Sequence, residues 1–91
     1  MRFRIPHDHP SLAGHFPGNP VVPGVVVLDH VVAAIEQREG SLPPLRLPQV
    51  KFVAPLRPGE EAGVALECDD GRWRFRVSRG DDVIATGEIA A

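Results

Sequence analysis

Cysteine is nearly missing from this chain: Cys68 is the only one, so no internal disulfide can form and no zinc site can be built around it alone. Basic excess is missing too. Ten Lys/Arg face twelve Asp/Glu for a net charge of −2 with His neutral, which leaves nothing to grip a phosphate backbone. There is no long apolar run. The longest, Val21 to Leu28, is broken by Pro23-Gly24 and is too short to span a bilayer. The first eight residues, Met1 to Asp8, contain no apolar signal segment. These absences predict a soluble, cytoplasmic domain. Repeats, charge runs and low-complexity tracts are absent as well. What remains is ordinary globular composition, 43% hydrophobic and 24% charged, which argues against disorder. Ninety-one residues fit a single domain over 1–91 with no second core. A domain so small leaves much of its surface uncovered, and a partner subunit is expected.

Proline divides the chain. Five prolines lie within residues 1–23, five within 43–58, and none in the last third, where nothing hinders central-strand pairing. Arg2-Phe3-Arg4-Ile5 alternates as a short strand before Pro6. Residues 7–24 form a shaped loop, with five Pro or Gly between His15 and Gly24. Val25 to Glu39 runs 15 residues without Pro or Gly and stops at Gly40. Its six β-branched residues suit a strand, but its length selects a helix, punctuated by Pro23 and Gly40. Its first eleven residues are apolar on nearly every side, which predicts a helix buried in a core.

After a loop over Ser41–Leu47, strand patterns dominate. Pro48–Pro55 places Val50 and Phe52 on one face, and Arg57-Pro58-Gly59-Glu60 is a turn. Val64, Leu66 and Cys68 alternate with polar or small residues before Asp69-Asp70-Gly71 turns the chain. Arg72 to Val77 alternates arginine with Trp73, Phe75 and Val77, and Gly80-Asp81-Asp82 turns into a last strand over Val83–Ile89. The expected fold is α+β: a curled antiparallel sheet of about five strands wrapped around one central helix.

Chemistry concentrates between the loop and the helix. His15 stands at the mouth of the Phe16-Pro17-Gly18 turn, and Asp29 lies in the second helical turn with Val25, Val26, Val32 and Ala33 as face neighbours. Burial there would penalise the charged carboxylate, so Asp29 is either paired by structure or a catalytic acid. A neutral imidazole and a protonated carboxyl make a complementary base and acid. The free N–H groups of the helix opening at Pro23-Gly24 suit a developing oxyanion, and glycine leaves room for substrate to approach. Base, acid and oxyanion donors together are what α-proton abstraction beside a thioester carbonyl with loss of a β-hydroxyl demands.

The run Gly14-His15-Phe16-Pro17-Gly18-Asn19-Pro20-Val21-Val22-Pro23-Gly24-Val25, followed by Leu28-Asp29, closely resembles the signature of the hot-dog-fold 3-hydroxyacyl-acyl-carrier-protein dehydratases of fatty-acid synthesis and related pathways. Lys51 to Glu60 also looks like that family's second strand and Pro-Gly turn, so the resemblance covers roughly residues 3–89. It implies a dimer, homomeric or assembled from dimers, with acyl carrier protein bringing substrate and no cofactor or metal. It implies His15 and Asp29 as catalytic residues meeting across the subunit interface, with Gly24, Phe16 and Val25 contacting substrate. Asp29 matches the branch with Asp in place of the more frequent Glu; Ala33 departs from the family's frequent Gln four residues after the acid. The chain lacks the leading helix and strand of longer members, in which it resembles the compact dehydratases of aryl-polyene pigment clusters.

Other readings stand beside this one. His15 could simply fix a turn, Asp29 could bond a loop N–H, and Gly24 could shape the helix start. His30 sits about 100° round the helix from Asp29 and is expected at a subunit contact or sheet edge. His7-Asp8-His9 with His15 has the makings of a metal site, but such loop clusters are more often solvated. Arg72, Arg74 and Arg76 are expected on a solvent face, with Glu67 as a partner and acidic carrier protein as a second possibility. Cys68 is expected to pack inertly beside Val64 and Leu66. The competing functions are a hot-dog thioesterase, a non-catalytic acyl- or carrier-binding module, and a partner subunit of a fuller dehydratase.

Overall fold

The computed structural model describes residues 1–6, 8 and 21–91. Its elements run β1 (Arg2–Arg4), α1 (Gly24–Glu39), β2 (Arg46–Phe52), β3 (Glu61–Asp69), β4 (Arg72–Arg79) and β5 (Asp82–Ala90). The strands form one antiparallel sheet in the order β1-β3-β4-β5-β2. β1 and β2 are thus opposite edges, and α1 carries the chain from one to the other across the buried face.

The meander β3–β4–β5 follows from local chemistry. Asp70 and Gly71 both take positive φ (51° and 78°), the backbone that a two-residue hairpin turn needs to match strand twist. Along β4 the alternation is complete: Arg72, Arg74 and Arg76 face outward, while Trp73, Phe75 and Val77 are buried. Arg74 stands opposite Glu67, and their charged groups are 4.0 Å apart; Arg72 reaches Glu88 at 3.3 Å. Such exposed pairs contribute little.

α1 is a helix despite its β-branched residues because tertiary burial outweighs propensity. Pro23 precedes it, and Gly40 ends it at φ +81°, donating its N–H to Glu36 O at 2.8 Å. Val26, Val27, Val31, Ala34 and Ile35 face the core with Phe75, Val77, Ile84 and Ile89. Burying Val27, Val31 and Ile35 alone favours folding by roughly 5–8 kcal/mol before chain entropy is counted.

Four expectations need correction. The helix is not buried all round: Val25 is 67% exposed and Asp29 is exposed, because one five-stranded sheet covers only one side of a helix. The strand expected to start at Pro48 starts at Arg46, and Pro48 sits inside it; the register shifts between Arg46 and Gln49, and an edge strand tolerates a missing donor. The same strand ends at Phe52, three residues short of the expected Pro55, with Phe52 half exposed. Cys68 is exposed, since β3 runs beyond the packed core after the half-buried Leu66. Among the described residues, no helix is long and apolar enough to cross a membrane.

Backbone ties anchor both Val22, just before α1, and Ile5, just after β1, to the turn that follows β2. Val22 N–H donates to Leu56 O at 2.8 Å, and Gly59 N–H donates to Ile5 O at 2.8 Å. The turn between those acceptor and donor residues is closed by Glu60, which accepts from Arg57 N–H at 2.8 Å and pairs with Arg79 at 3.0 Å. The Arg57 N–H is the main cause that holds the Glu60 carboxyl below the ordinary carboxylate range; burial opposes it, and the hydrogen bond and charge of Arg79 add to the lowering. A depressed folded pKa stabilises above the unfolded value, and the gain is lost as pH falls through the folded one. Glu60→Ala is therefore expected to lower the melting temperature at neutral pH. The gap from wild type should close as the medium is acidified below the usual carboxylate pKa; a gap independent of pH would show that the charge of Glu60 does not hold this turn.

Candidate active site

The helix that spans the sheet presents its uncovered flank to two hollows. The first is a groove of about 500 Å³ containing Asp29, walled by Val25, Leu28, Val32, Leu42 and Leu45, with Glu36 further along. The second, of about 430 Å³, lies at the helix start and is lined by Val21, Gly24, Phe52, Val53 and Ala54. Asp29 and Val25 are thus brought together, while Gly24 opens onto a different hollow of the same chain. His15 and Phe16 lie outside the described residues, as do His7 and His9.

Asp29 reaches this place because helical spacing puts Val25, Leu28, Val32 and Glu36 on its flank, while the core takes Val26, Val27, Val31 and Ile35. Its expected burial is corrected: its own chain leaves the carboxyl exposed. The environment is nevertheless mostly apolar, with Leu42 and Leu45 from the loop and Ile89 from β5 completing the wall.

Gly24 lies where the backbone has free donors. Val26 and Val27 N–H groups both reach Pro23 O (3.0 and 3.3 Å), so the helical ladder starts there and the N–H groups of Gly24 and Val25 have no acceptor within the helix. The ring of Phe52 occupies the space in front of Gly24: a Cβ at this position would stand 2.6 Å from Phe52 Cζ. Glycine is required here by close approach, not by an unusual φ. Neither Phe52 over Gly24 nor Glu36 in the groove was read from the sequence. The signal for Glu36 was available, seven residues after Asp29 on the same helical flank; Phe52 carried no local signal, because its partner is a tertiary neighbour.

His30 stacks face to face on Phe3 of the edge strand β1, with centroids 4.3 Å apart and planes within 5°, a structural position away from Asp29. Among the described residues no three His, Cys, Asp or Glu side chains gather as metal ligands would.

A single helix laid across a five-stranded antiparallel sheet defines the hot-dog fold, and the comparisons agree. The chain superposes on a chain of the dehydratase heterocomplex ApeI:P from Xenorhabdus doucetiae with a TM-score of 0.79, at 26% identity over 98% of this chain and 81% of that one. A variant of the fluoroacetyl-CoA-specific thioesterase FlK aligns with a TM-score of 0.65 at 23% identity, over 99% of this chain and 84% of that one, a likeness of fold alone. The model of the ApeI-like family, described as ApeI dehydratase, matches residues 1–88, and the chain belongs to that family. Curated relatives include the 3-hydroxyacyl-acyl-carrier-protein dehydratase FabZ of Verminephrobacter eiseniae, 30% identical over 90% of this chain and 65% of the relative. That of Thermomicrobium roseum is 32% identical over 92% and 61%. The chain therefore spans under two thirds of the length of these relatives.

The contact between Gly24 and Phe52 generates a coupled outcome. Gly24→Ala forces the ring outward and is expected to cost about 1–2 kcal/mol of stability. In a Phe52→Ala background the same change should be neutral or stabilising. Urea denaturation of the four proteins measures the coupling, and strict additivity would show that the ring is not held against Gly24.

Proposed function

We propose that this chain is a 3-hydroxyacyl-acyl-carrier-protein dehydratase, eliminating water from a 3-hydroxyacyl thioester to give the trans-2-enoyl thioester in fatty-acid or related polyene biosynthesis. Membership of a dehydratase family with Asp29 set in an apolar groove carries the reading. In the proposed reaction His15 takes the α-proton as the electrons move toward the thioester carbonyl. The N–H of Gly24 receives the developing oxyanion, and Asp29 delivers a proton to the β-hydroxyl as the C–O bond breaks and water leaves. The proton on His15 and the one lost by Asp29 balance, so solvent exchange restores both groups. Phe16 and Val25 are proposed to contact the acyl thioester. The elimination breaks one C–H and one C–O bond with no net oxidation or reduction, so the reaction asks for no cofactor beyond the phosphopantetheine that carries the substrate.

The site is proposed to form across a two-fold contact in the cytoplasm, with His15 and Gly24 of one protomer meeting the acid of another. Two observations support this. Gly24 and Asp29 of one chain open onto separate hollows, and the open edge β2 with Leu47, Phe52 and Val53 leaves apolar surface beside the uncovered helix flank. A second reading, pairing with a different hot-dog subunit, is supported by the likeness to a dehydratase heterocomplex.

The decisive experiment incubates the purified chain with 3-hydroxyacyl carrier protein and follows the acyl group by mass. Loss of one water supports dehydration, release of free acid supports a thioesterase, and unchanged bound substrate supports a binding module or an incomplete heteromer. Solution mass reports the assembly. His15→Ala and Asp29→Asn are each expected to lower turnover by about a hundred- to ten-thousand-fold without loss of fold. Wild-type rates in either variant would remove that residue from the chemistry.

A further inference from the structure

The groove that holds Asp29 does not end at the acid. It continues along α1 past Val32 to Glu36, walled by Leu42 and Leu45 of the loop before β2. Seven residues separate the two carboxyl-bearing positions, close to two helical turns, so they share a flank and stand ~10 Å apart along the axis. The wall between them is apolar throughout. A groove with an acid at one point, an aliphatic floor and a second carboxyl at the far end is an asymmetric container.

We propose that this stretch of groove receives the acyl tail of the substrate and that Glu36 terminates it, making Glu36 a specificity-determining residue for chain length. The inference rests on the dehydratase reading. Once the β-carbon sits at Asp29, the apolar walls of Leu28, Val32, Leu42 and Leu45 favour each methylene that follows, by about fourfold in binding per group. The gain stops at Glu36. That side chain is exposed and has no ion pair among the described residues, so a methylene laid against it strips water from a charge that nothing else accompanies. With carbon–carbon bonds of about 1.5 Å zigzagging at tetrahedral angles, ~10 Å holds roughly eight carbons beyond the β-carbon. The groove therefore fits straight tails of short and medium length and opposes longer ones.

The test compares the full-length chain with Glu36→Leu and Glu36→Gln on straight 3-hydroxyacyl carrier-protein thioesters from 3-hydroxybutyryl to 3-hydroxyhexadecanoyl. For the wild type, kcat/KM is expected to rise with length and break near 3-hydroxydodecanoyl. Glu36→Leu should carry the rise past that break, by about fifteenfold for a tail two carbons longer, with a far smaller effect on the shortest substrates. Glu36→Gln should fall between them. A wild-type profile without a break, or the same break in all three proteins, overturns the role of Glu36 while enoyl product at every length leaves the dehydratase reading standing. If no length gives enoyl product, the dehydratase reading falls. The groove is then judged by the rise in melting temperature with the same thioesters, where a break that moves in Glu36→Leu supports the length limit and a fixed or missing break overturns it.

Discussion

One geometric constraint governs this protein: a single sheet of five strands can cover one side of a helix and no more. The face of α1 carrying Val26, Val27, Val31 and Ile35 meets the buried side of the meander and forms the core with it. The opposite flank is left with Val25 and Asp29 in the open and Leu28 and Val32 half covered. A helix so rich in valine on both sides is out of balance in one chain. The uncovered side also holds Asp29, the only carboxylate within the first eleven residues from Val25.

Much of this was legible from the linear pattern. Arginine alternating with Trp73, Phe75 and Val77 admits one register, since a slip by one residue would bury three guanidinium groups. The Asp70-Gly71 turn and the proline-free last third pointed to a meander, and Pro23 with Gly40 bounded the helix despite its β-branched content. The motif from Gly14 to Asp29 pointed to the family. Exposure was harder to read. Asp29 and Cys68 both follow apolar patterns, yet one lies on the flank that the sheet cannot reach and the other on a strand that outruns the core. Periodicity reports which way a side chain faces, not whether anything stands opposite. Tertiary contacts such as Phe52 on Gly24 have no local signature at all.

Contacts from β2 and from the turn after it converge on the start of α1. Val22 is held to Leu56, the turn behind Leu56 is held by Glu60 and Arg79, and Phe52 fills the space that glycine leaves. The backbone donors of the first helical turn are thereby aimed by residues drawn from β2, β4 and the turn between β2 and β3. This is preorganisation in the ordinary sense: a dipole fixed before any charge arrives costs nothing to reorient when it does.

The route of α1 from one sheet edge to the other also has a consequence in time. The meander closes through turns of a few residues, whereas Arg4 of β1 must find Glu61, 57 positions away. Loop-closure entropy makes the meander the inexpensive part to assemble and puts the long search on the two margins. A ribosome releases β1 and the helix long before β4 and β5 exist to receive them. The first edge strand and the helix are thus translated early and secured late, by a hairpin ladder that is made last.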